Sequence, residues 1–486
     1  MNLDNALAAA LAAAPLVVLS LTPLAALIVI SFAKHKAAAT FGVSAIGLAA
    51  SLAALLTTLP RLPTQVAGLL SADGLSFIGT AIVLVTALAV TLGSRSYLSR
   101  REGERGDYYL LLLFAALGAT VLASASNLAT VFLGLELLSV SLYALVAYRR
   151  ERVEGTKAAF TYLILASVAS AFLLFGMALA YYQTGSLELA SITQAAASGS
   201  GGTLFAVALA MMGVGFAFKL AVAPFHMWAL EVYEGASAPV AALIATMSKA
   251  AMALPLIRVL APATADPAAP PSLVWIIAAL AGASMVVGNL LALREERVKR
   301  MLAGSSIAQV GYVLVALAAG GSYGAGAAMF YLAAYSLATL GAFACVTVLS
   351  PQDRDAGSRE DFRGLASRRP FVAAVMTASL LSLAGMPLTA GFIGKFMLFS
   401  SGLRAGLATQ VLAVLLALNS ALSLFYYLRL LSTMYRGGGT AAAETAFAPR
   451  LPLLAGLVLA LVGLAILVLG TVPGPALSFL ASLAGR

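Results

Sequence analysis

The sequence predicts an all-α polytopic membrane protein of about fourteen transmembrane helices. Three observations carry that prediction. The 486 residues are 62% hydrophobic and only 10% charged, with a mean hydropathy of +0.99, too little polar surface for a water-soluble chain of this length. Apolar runs of about twenty residues, each long enough to cross a hydrocarbon core as a helix, recur from end to end. The alternation of apolar and polar residues that marks an outer-membrane barrel strand is missing.

Taken in order, charge, proline and glycine punctuate spans near residues 6–32, 37–58, 73–93, 108–124, 127–147, 156–182, 204–230, 238–260, 272–293, 300–319, 324–349, 371–400, 405–434 and 450–470. The first reads as a membrane helix and not as a secretory signal, because "MNLDNALAAALAAAPLVVLSL" has no basic residue before Lys34. The basic residues then sort by loop. Of the 29 lysines and arginines, twenty fall in the loops around residues 34–36, 95–105, 149–152, 294–300, 354–369 and 436–450. The opposite loops hold only Arg61, Arg258, Arg404 and Arg486. That is the positive-inside bias. It makes the span number even, puts both termini on the outer side, and accounts for the net charge of +10 without nucleic acid. One cysteine, Cys345, leaves no set for an iron–sulfur cluster, a cysteine zinc site or an internal disulfide. No glycine-rich nucleotide loop is present.

Four charged residues stand near the middle of these spans: Glu136, Lys219, Lys249 and Lys395. An intramembrane charge costs several kcal/mol on insertion scales, about 2.5–3.5 at a helix centre. A single lysine can snorkel or form a structural ion pair. Four charges at comparable depth cannot all snorkel, and Glu136 can neutralise only one lysine. Burial favours an amine over an ammonium, so such lysines are workable proton carriers. Two of the lysine spans are also interrupted. Pro224 follows Lys219 in "FKLAVAPFHMW", and Gly385, Pro387 and Gly391 precede Lys395 in "LAGMPLTAGFIGKF". Breaks at membrane depth free backbone groups that protein or cavity water must satisfy. Two interrupted spans five apart in order are what an inverted internal repeat produces. A weaker polar set surrounds these positions. Lys157 is placed either to snorkel or to pair with Glu136, His226 lies in the first break, and Glu231 and Glu234 follow it with no lysine nearby in sequence. Ser305, Ser306, Gln309 and Tyr312 are placed either to carry water between Lys249 and Lys395 or to bind helices together.

The stretches "LGLELLSVSLYALVAY", "FKLAVAPFHMWALEVYEGASAP", "NLLALREERVKRMLAGSSIAQVGYVLVAL" and "GMPLTAGFIGKF" together resemble the antiporter-like subunit N family of bacterial NADH–quinone oxidoreductase, respiratory complex I. The resemblance implies two inverted five-helix repeats, each with a half-closed proton channel and one interrupted helix. Here they correspond to residues 106–262 and 263–436, after a three-helix segment at 1–105 and before a C-terminal helix in 437–486. It implies a proton-translocating translocase subunit in the bacterial inner membrane, with both termini periplasmic. Glu136 and Lys219 would form the coupled pair, Lys249 the central lysine, Lys395 the terminal one and Lys157 an additional one. It also implies that this chain holds no cofactor. NADH, FMN, iron–sulfur clusters and quinone would belong to other subunits, and the partners would be a paralogous antiporter-like subunit, small membrane subunits and lipids. The core charges are shared with subunits of multisubunit cation/proton antiporters and of membrane-bound hydrogenases, which stay open as alternatives. The sequence departs from the family at Leu230 and Ser237, where proline is usual. It also has Gly304 in place of tyrosine and Gln309 in place of histidine. Glutamine cannot take up a proton, so a relay there would depend on water.

Overall fold

The computed structural model describes residues 3–33, 35–101, 106–149, 151–199, 202–437 and 451–484. Of the basic residues used to sort the loops, Lys34, Arg105, Arg150, Arg450 and Arg486 lie outside the described residues. The chain is helical almost throughout, and thirteen helices among the described residues are long and apolar enough to cross a membrane. The first predicted span divides into α1 (Leu3–Ala12) and α2 (Ala14–Phe32), because Pro15 in the first turn of α2 has no N–H to continue the ladder. After α3 (Lys36–Leu56) a small hairpin was not foreseen: β1 (Thr64–Val66) pairs antiparallel with β2 (Leu70–Ala72). Then come α4 (Gly74–Ser99), capped by Asp73, α5 (Asp107–Ser124), α6 (Leu128–Val146), α7 (Val153–Thr184), the short α8 (Leu189–Ser198) and α9 (Gly202–Leu220).

Both predicted interruptions are present. Helix α9 stops at Leu220 and the chain resumes helix as α10 (Trp228–Gly235). The span near 371–400 is realised as α17 (Pro370–Ala384) and α18 (Ala390–Arg404), and these two pieces make the fourteenth crossing. Between the breaks, α11 (Ala238–Leu243) runs through a π-helical turn at Ile244–Ser248 into α12 (Lys249–Ala265). Next are α13 (Pro271–Arg294), α14 (Val298–Ala319), α15 (Gly321–Leu349) and the one-turn α16 (Leu365–Arg368). The chain closes with α19 (Leu407–Tyr435), α20 (Leu453–Thr471) and α21 (Gly474–Ala484). The apolar window of α14 is 100% buried and that of the α11–α12 span 94%, against 33% for α7 and 39% for α19. So α14 and α11–α12 form the axis of the bundle, and α7 and α19 present an apolar face outward.

Two units of the chain repeat one geometry. Gly118 of α5 and Gly134 of α6 stand at a close helix crossing, and a Cβ added to either would come within 2.9 Å of the other's carbonyl oxygen. Gly288 of α13 and Gly304 of α14 form the same close crossing at a shift of 170 residues (118 to 288, 134 to 304), with added Cβ atoms 2.8 and 3.1 Å from the other's carbonyl oxygen. The same shift relates the isolated bridge Asn127–Glu188 to Arg297–Ser358. It also relates the backbone bond from Leu128 N to Leu187 O, 2.8 Å, to that from Val298 N to Gly357 O, 2.7 Å. Five apolar spans separate the two units, an odd number, as an inverted repeat requires. The crossing also explains the departure at residue 304, because a Cβ there would stand 2.8 Å from Ala292 N. In this chain only glycine lets the two backbones approach so closely.

Candidate functional site

Helix α6 begins with Asn127, whose side chain accepts a hydrogen bond from Ala129 N at 2.9 Å and fixes the register of the helix. That register places Glu136, Ser139 and Tyr143, at i, i+3 and i+7, along one stripe. Lys219 comes to this stripe from the last turn of α9, 5% exposed, and donates to Ser139 Oγ at 2.6 Å and to Tyr143 Oη at 2.9 Å. The rings of Tyr143 and Tyr162 lie 5.2 and 5.4 Å from its nitrogen. Glu136 and Lys219 lie near one another without a direct contact. Among the described residues no ion pair joins Glu136 to Lys219. Glu136 accepts from Ser170 Oγ of α7 at 2.6 Å, one and two helical turns before the lysine's partners Ser139 and Tyr143. Among the described residues Lys157 does not pair with Glu136 either; it is exposed in the second turn of α7.

The break after Lys219 is satisfied by side chains, as buried backbone polar groups require. Trp228 Nε1 donates to Phe218 O at 2.8 Å, and Ser284 Oγ accepts from Ala223 N at 3.0 Å. The Trp228 ring stacks on Tyr162 with centroids 4.5 Å apart. Pro224 is exposed and His226 half-buried in the same loop, and neither is among the groups that contact Lys219.

Lys249 follows the π-helical turn directly, a feature common at functional sites because it re-aims side chains and frees a carbonyl. It is 1% exposed and donates to Ser306 Oγ at 2.5 Å and to Ser306 O at 3.2 Å. Ser306 is a hub, since its hydroxyl also meets Tyr335 Oη at 2.6 Å and Tyr233 Oη at 3.2 Å. Tyr335 in turn donates to Ala245 O at 2.9 Å, a carbonyl within the π-helical turn. Helix α10 thus connects the two lysine sites, with Trp228 packed beneath Lys219's tyrosines and Tyr233 on the partner of Lys249.

From Ser306 the polar groups continue along α14 toward the second break. The hydroxyls of Ser305 and Tyr427 hydrogen-bond, and Gln309 Oε1 accepts from Tyr331. Gln309 Nε2 donates to Leu383 O at 3.1 Å, while Lys395 donates to the next carbonyl, Ala384 O, at 3.0 Å, and to Ser420 Oγ at 2.8 Å. Tyr312 lays its ring 4.9 Å from the Lys395 nitrogen and accepts at its hydroxyl from Asn289 Nδ2 at 3.2 Å. Gly385, at φ +84°, is needed twice: an added Cβ would be strained there and would stand 2.7 Å from Lys395 Cδ. Gly391 N donates to Ser382 Oγ at 3.0 Å and holds the half-helices together across exposed Pro387. The structure therefore brings Ser305, Ser306, Gln309 and Tyr312 between Lys249 and Lys395, as contacts within protein. Among the described residues, no hydrogen bond joins Lys219 and its partners Ser139 and Tyr143 to Lys249 and its partner Ser306.

Several partners were missed in the sequence. Ser139 and Tyr143 had a signal in their helical spacing from Glu136. Tyr335, Ser420 and Asn289 had none beyond being polar in apolar helices. A buried ion pair was missed as well. Lys299 Nζ lies 2.8 Å from Asp355 Oδ2, with side chains 1% and 3% exposed, and Tyr97 Oη donates to the other carboxylate oxygen at 2.6 Å. Lys299 also donates to Glu234 O and Ala236 O at 2.8 and 2.9 Å, so the C-terminal end of α10 does have a lysine beside it. The Glu234 side chain pairs with Arg297 at 2.7 Å. Burial pushes the Asp355 carboxyl up, but the Lys299 ammonium and the Tyr97 hydroxyl more than offset this and hold it below the usual range. No group of three or more metal-ligating side chains is present among the described residues.

Residues 125–420 match the family described as NADH:quinone oxidoreductase/Mrp antiporter, transmembrane. The NADH-quinone oxidoreductase subunit N of Chromohalobacter salexigens is 40% identical over 472 residues, 96% of this chain and 97% of that protein. The subunit N of Ectopseudomonas mendocina is 41% identical over 433 residues, 87% of this chain and 85% of that one. A chain in the structure of respiratory complex I from Thermus thermophilus with bound aureothin superposes with a TM-score of 0.82 at 36% identity, covering 96% of this chain and 98% of that chain. A chain of the Mrp complex from a Dietzia species shares the fold, with a TM-score of 0.86 at 23% identity over 98% of this chain and 97% of that one. The chain belongs to the subunit N family of NADH-quinone oxidoreductase, the antiporter-like membrane subunits of respiratory complex I.

Proposed function

We propose that, as a member of this family, the chain carries protons across the bacterial inner membrane while quinone is reduced in other subunits, and that both of its termini are periplasmic. Residues 106–262 and 263–436 act as two half-channels, following a three-helix segment at 1–105. The observation that carries the reading is the set of partners around Lys219, Lys249 and Lys395. Each is at most 5% exposed, and each is held by hydroxyls or a carbonyl, with no carboxylate in contact among the described residues. A permanently charged ammonium left without a counter-ion inside the membrane is costly. Three of them in one bundle are intelligible as groups that exchange a proton in turn.

In this mechanism a charge rearrangement in a neighbouring subunit shifts Glu136 relative to Lys219. The two are close enough to feel one another and not locked in a contact pair, so a small displacement changes how well the ammonium is stabilised. The proton passes by way of the α10 aromatic groups and water to Lys249. It then moves along Ser306, Gln309 and Tyr312 to Lys395 and leaves on the side poor in positive charge. Gln309 takes no proton and orients its neighbours. NADH, FMN, iron–sulfur clusters and quinone act in partner subunits, among them a paralogous antiporter-like subunit and small membrane subunits. Substituting Lys249→Met in the assembled complex tests this reading, since methionine keeps much of the side chain's length and removes the titratable group. Acidification per quinone reduced in sealed vesicles should fall; an unchanged ratio contradicts the proposal.

A further inference from the structure

We propose that the basic end of α19 is a binding site for one anionic phospholipid, which lies with its headgroup phosphate between Arg429 and Arg436 and its acyl chains along the outer face of the helix. The site is independent of the proton route. A basin of about 520 Å³ opens at this end of the bundle, lined by Arg297, Arg359, Arg363, Arg429 and Arg436 with Glu296 and Glu360. Three of the arginines are already engaged: Arg297 with Glu234 at 2.7 Å, Arg359 with Glu296 at 3.1 Å and Arg363 with Glu360 at 2.7 Å. Arg429 and Arg436 have no acidic partner among the described residues, and Arg429 reaches only Leu293 O at 3.5 Å. They stand two helical turns apart on the same face in "RLLSTMYR", with the hydroxyls of Ser432 and Thr433 between them, also in the basin lining. The Thr433 hydroxyl is engaged with Arg429 O at 3.1 Å, and the two guanidiniums flanking the Ser432 hydroxyl supply the donors that a phosphodiester oxygen pair accepts.

What distinguishes a lipid from a free phosphate is the surface that continues from this basin. Val414, Leu418, Phe425 and Leu428 of α19 are 54, 62, 67 and 49% exposed and follow helical spacing toward the basin. Tyr435, 58% exposed, stands beside Arg436, where an amphipathic aromatic marks the headgroup level. A free phosphate would use only the basin. A neighbouring protein subunit would need acidic groups for the arginines and would bury the apolar face instead.

The test is photo-crosslinking of the assembled complex in vesicles containing phosphatidylglycerol or phosphatidylcholine with the same diazirine acyl chain, followed by peptide mapping. Phosphatidylglycerol should label the α19 peptide about fivefold more than phosphatidylcholine, from the attraction of two interfacial arginines. The Arg429→Gln/Arg436→Gln double variant should bring labelling down to the phosphatidylcholine level, whereas Arg429→Lys/Arg436→Lys should keep most of it. Added inorganic phosphate should leave labelling unchanged. Equal labelling by the two lipids in the unaltered complex would overturn the proposal without reference to any variant. So would displacement by phosphate, or an α19 peptide that crosslinks to a neighbouring subunit and to no lipid.

Discussion

The two halves of the bundle share one backbone plan and arm it differently. Helices α5 and α6 cross at Gly118 and Gly134 as α13 and α14 cross at Gly288 and Gly304. On that common frame, the residue of α14 that answers Glu136 is Ser306 (136 to 306, the same 170-residue shift). The first half has a carboxylate near its lysine. The second has a hydroxyl in that place, which receives Lys249 from the axis helix at 2.5 Å. The lysines also differ in placement. Lys219 ends its helix before the break, whereas Lys395 begins after one and leans on a backbone carbonyl at 3.0 Å. A carboxylate that can move relative to an ammonium makes a switch, and hydroxyls and carbonyls with no such partner make a relay. On this account coupling resides in the first half and conduction in the second.

The largest effect should come from the shared frame. Gly304→Val and Gly134→Val each put side-chain carbons onto a facing backbone, which cannot swing aside as a side chain can. The whole crossing must then open, and the cost goes well beyond the roughly 1–3 kcal/mol of ordinary core overpacking. Both variants should assemble poorly, as judged by the yield of intact complex, and normal assembly of one alone would break the equivalence of the halves. Next is the joint that ties them. Lys299 of α14 holds Asp355, which also takes Tyr97 of α4, and it holds two carbonyls at the C-terminal end of α10. Asp355→Asn leaves a buried ammonium without its counter-ion, and breaking such a pair costs about 3–5 kcal/mol. Because the folded carboxyl sits below its ordinary value of 3.8, its stabilising contribution is present above that pH. It is lost as the pH falls through the lower folded value. Melting curves of the unaltered protein should therefore drop below about pH 4, and those of the variant should lack that component.

Ser306→Glu transplants the first half's carboxylate into the second. It should hold Lys249 in a fixed pair and reduce acidification per quinone about tenfold, a loss of about 1.4 kcal/mol in coupling. Retained pumping would remove the distinction between switch and relay. Glu136→Gln keeps the Ser170 hydrogen bond and removes the charge, so it should lower the proton-to-electron ratio severalfold while the chain still assembles. The smallest effect is expected for Tyr143→Phe. It deletes one of Lys219's two hydroxyl acceptors, worth about 1 kcal/mol, and should slow pumping without abolishing it.

Much of the fold was legible because the bilayer imposes it. Spans, the sorting of basic residues and the two lysine-bearing breaks follow from the cost of polar groups in hydrocarbon. The hairpin at Thr64–Ala72 and the short α8 were not legible, since their residues bear no length or hydropathy signal. The titratable residues of the site stood out, but their partners did not. Whether Glu136 meets Lys219 or Ser170 depends on side-chain reach between three helices, which spacing along one helix does not contain. Likewise Lys299 and Asp355 looked like ordinary loop charges, and only their 1% and 3% exposure separates them from solvated neighbours. Gly304 looked like a lost tyrosine until its counterpart at Gly134 showed what the crossing demands.

The most direct test of the division between a coupling half and a conducting half is the proton-to-electron ratio of the intact complex carrying Lys219→Ala, measured in sealed vesicles during quinone reduction. The account predicts that pumping is abolished or that quinone reduction itself stalls. A Lys219→Ala complex that reduces quinone with an unchanged ratio would contradict it.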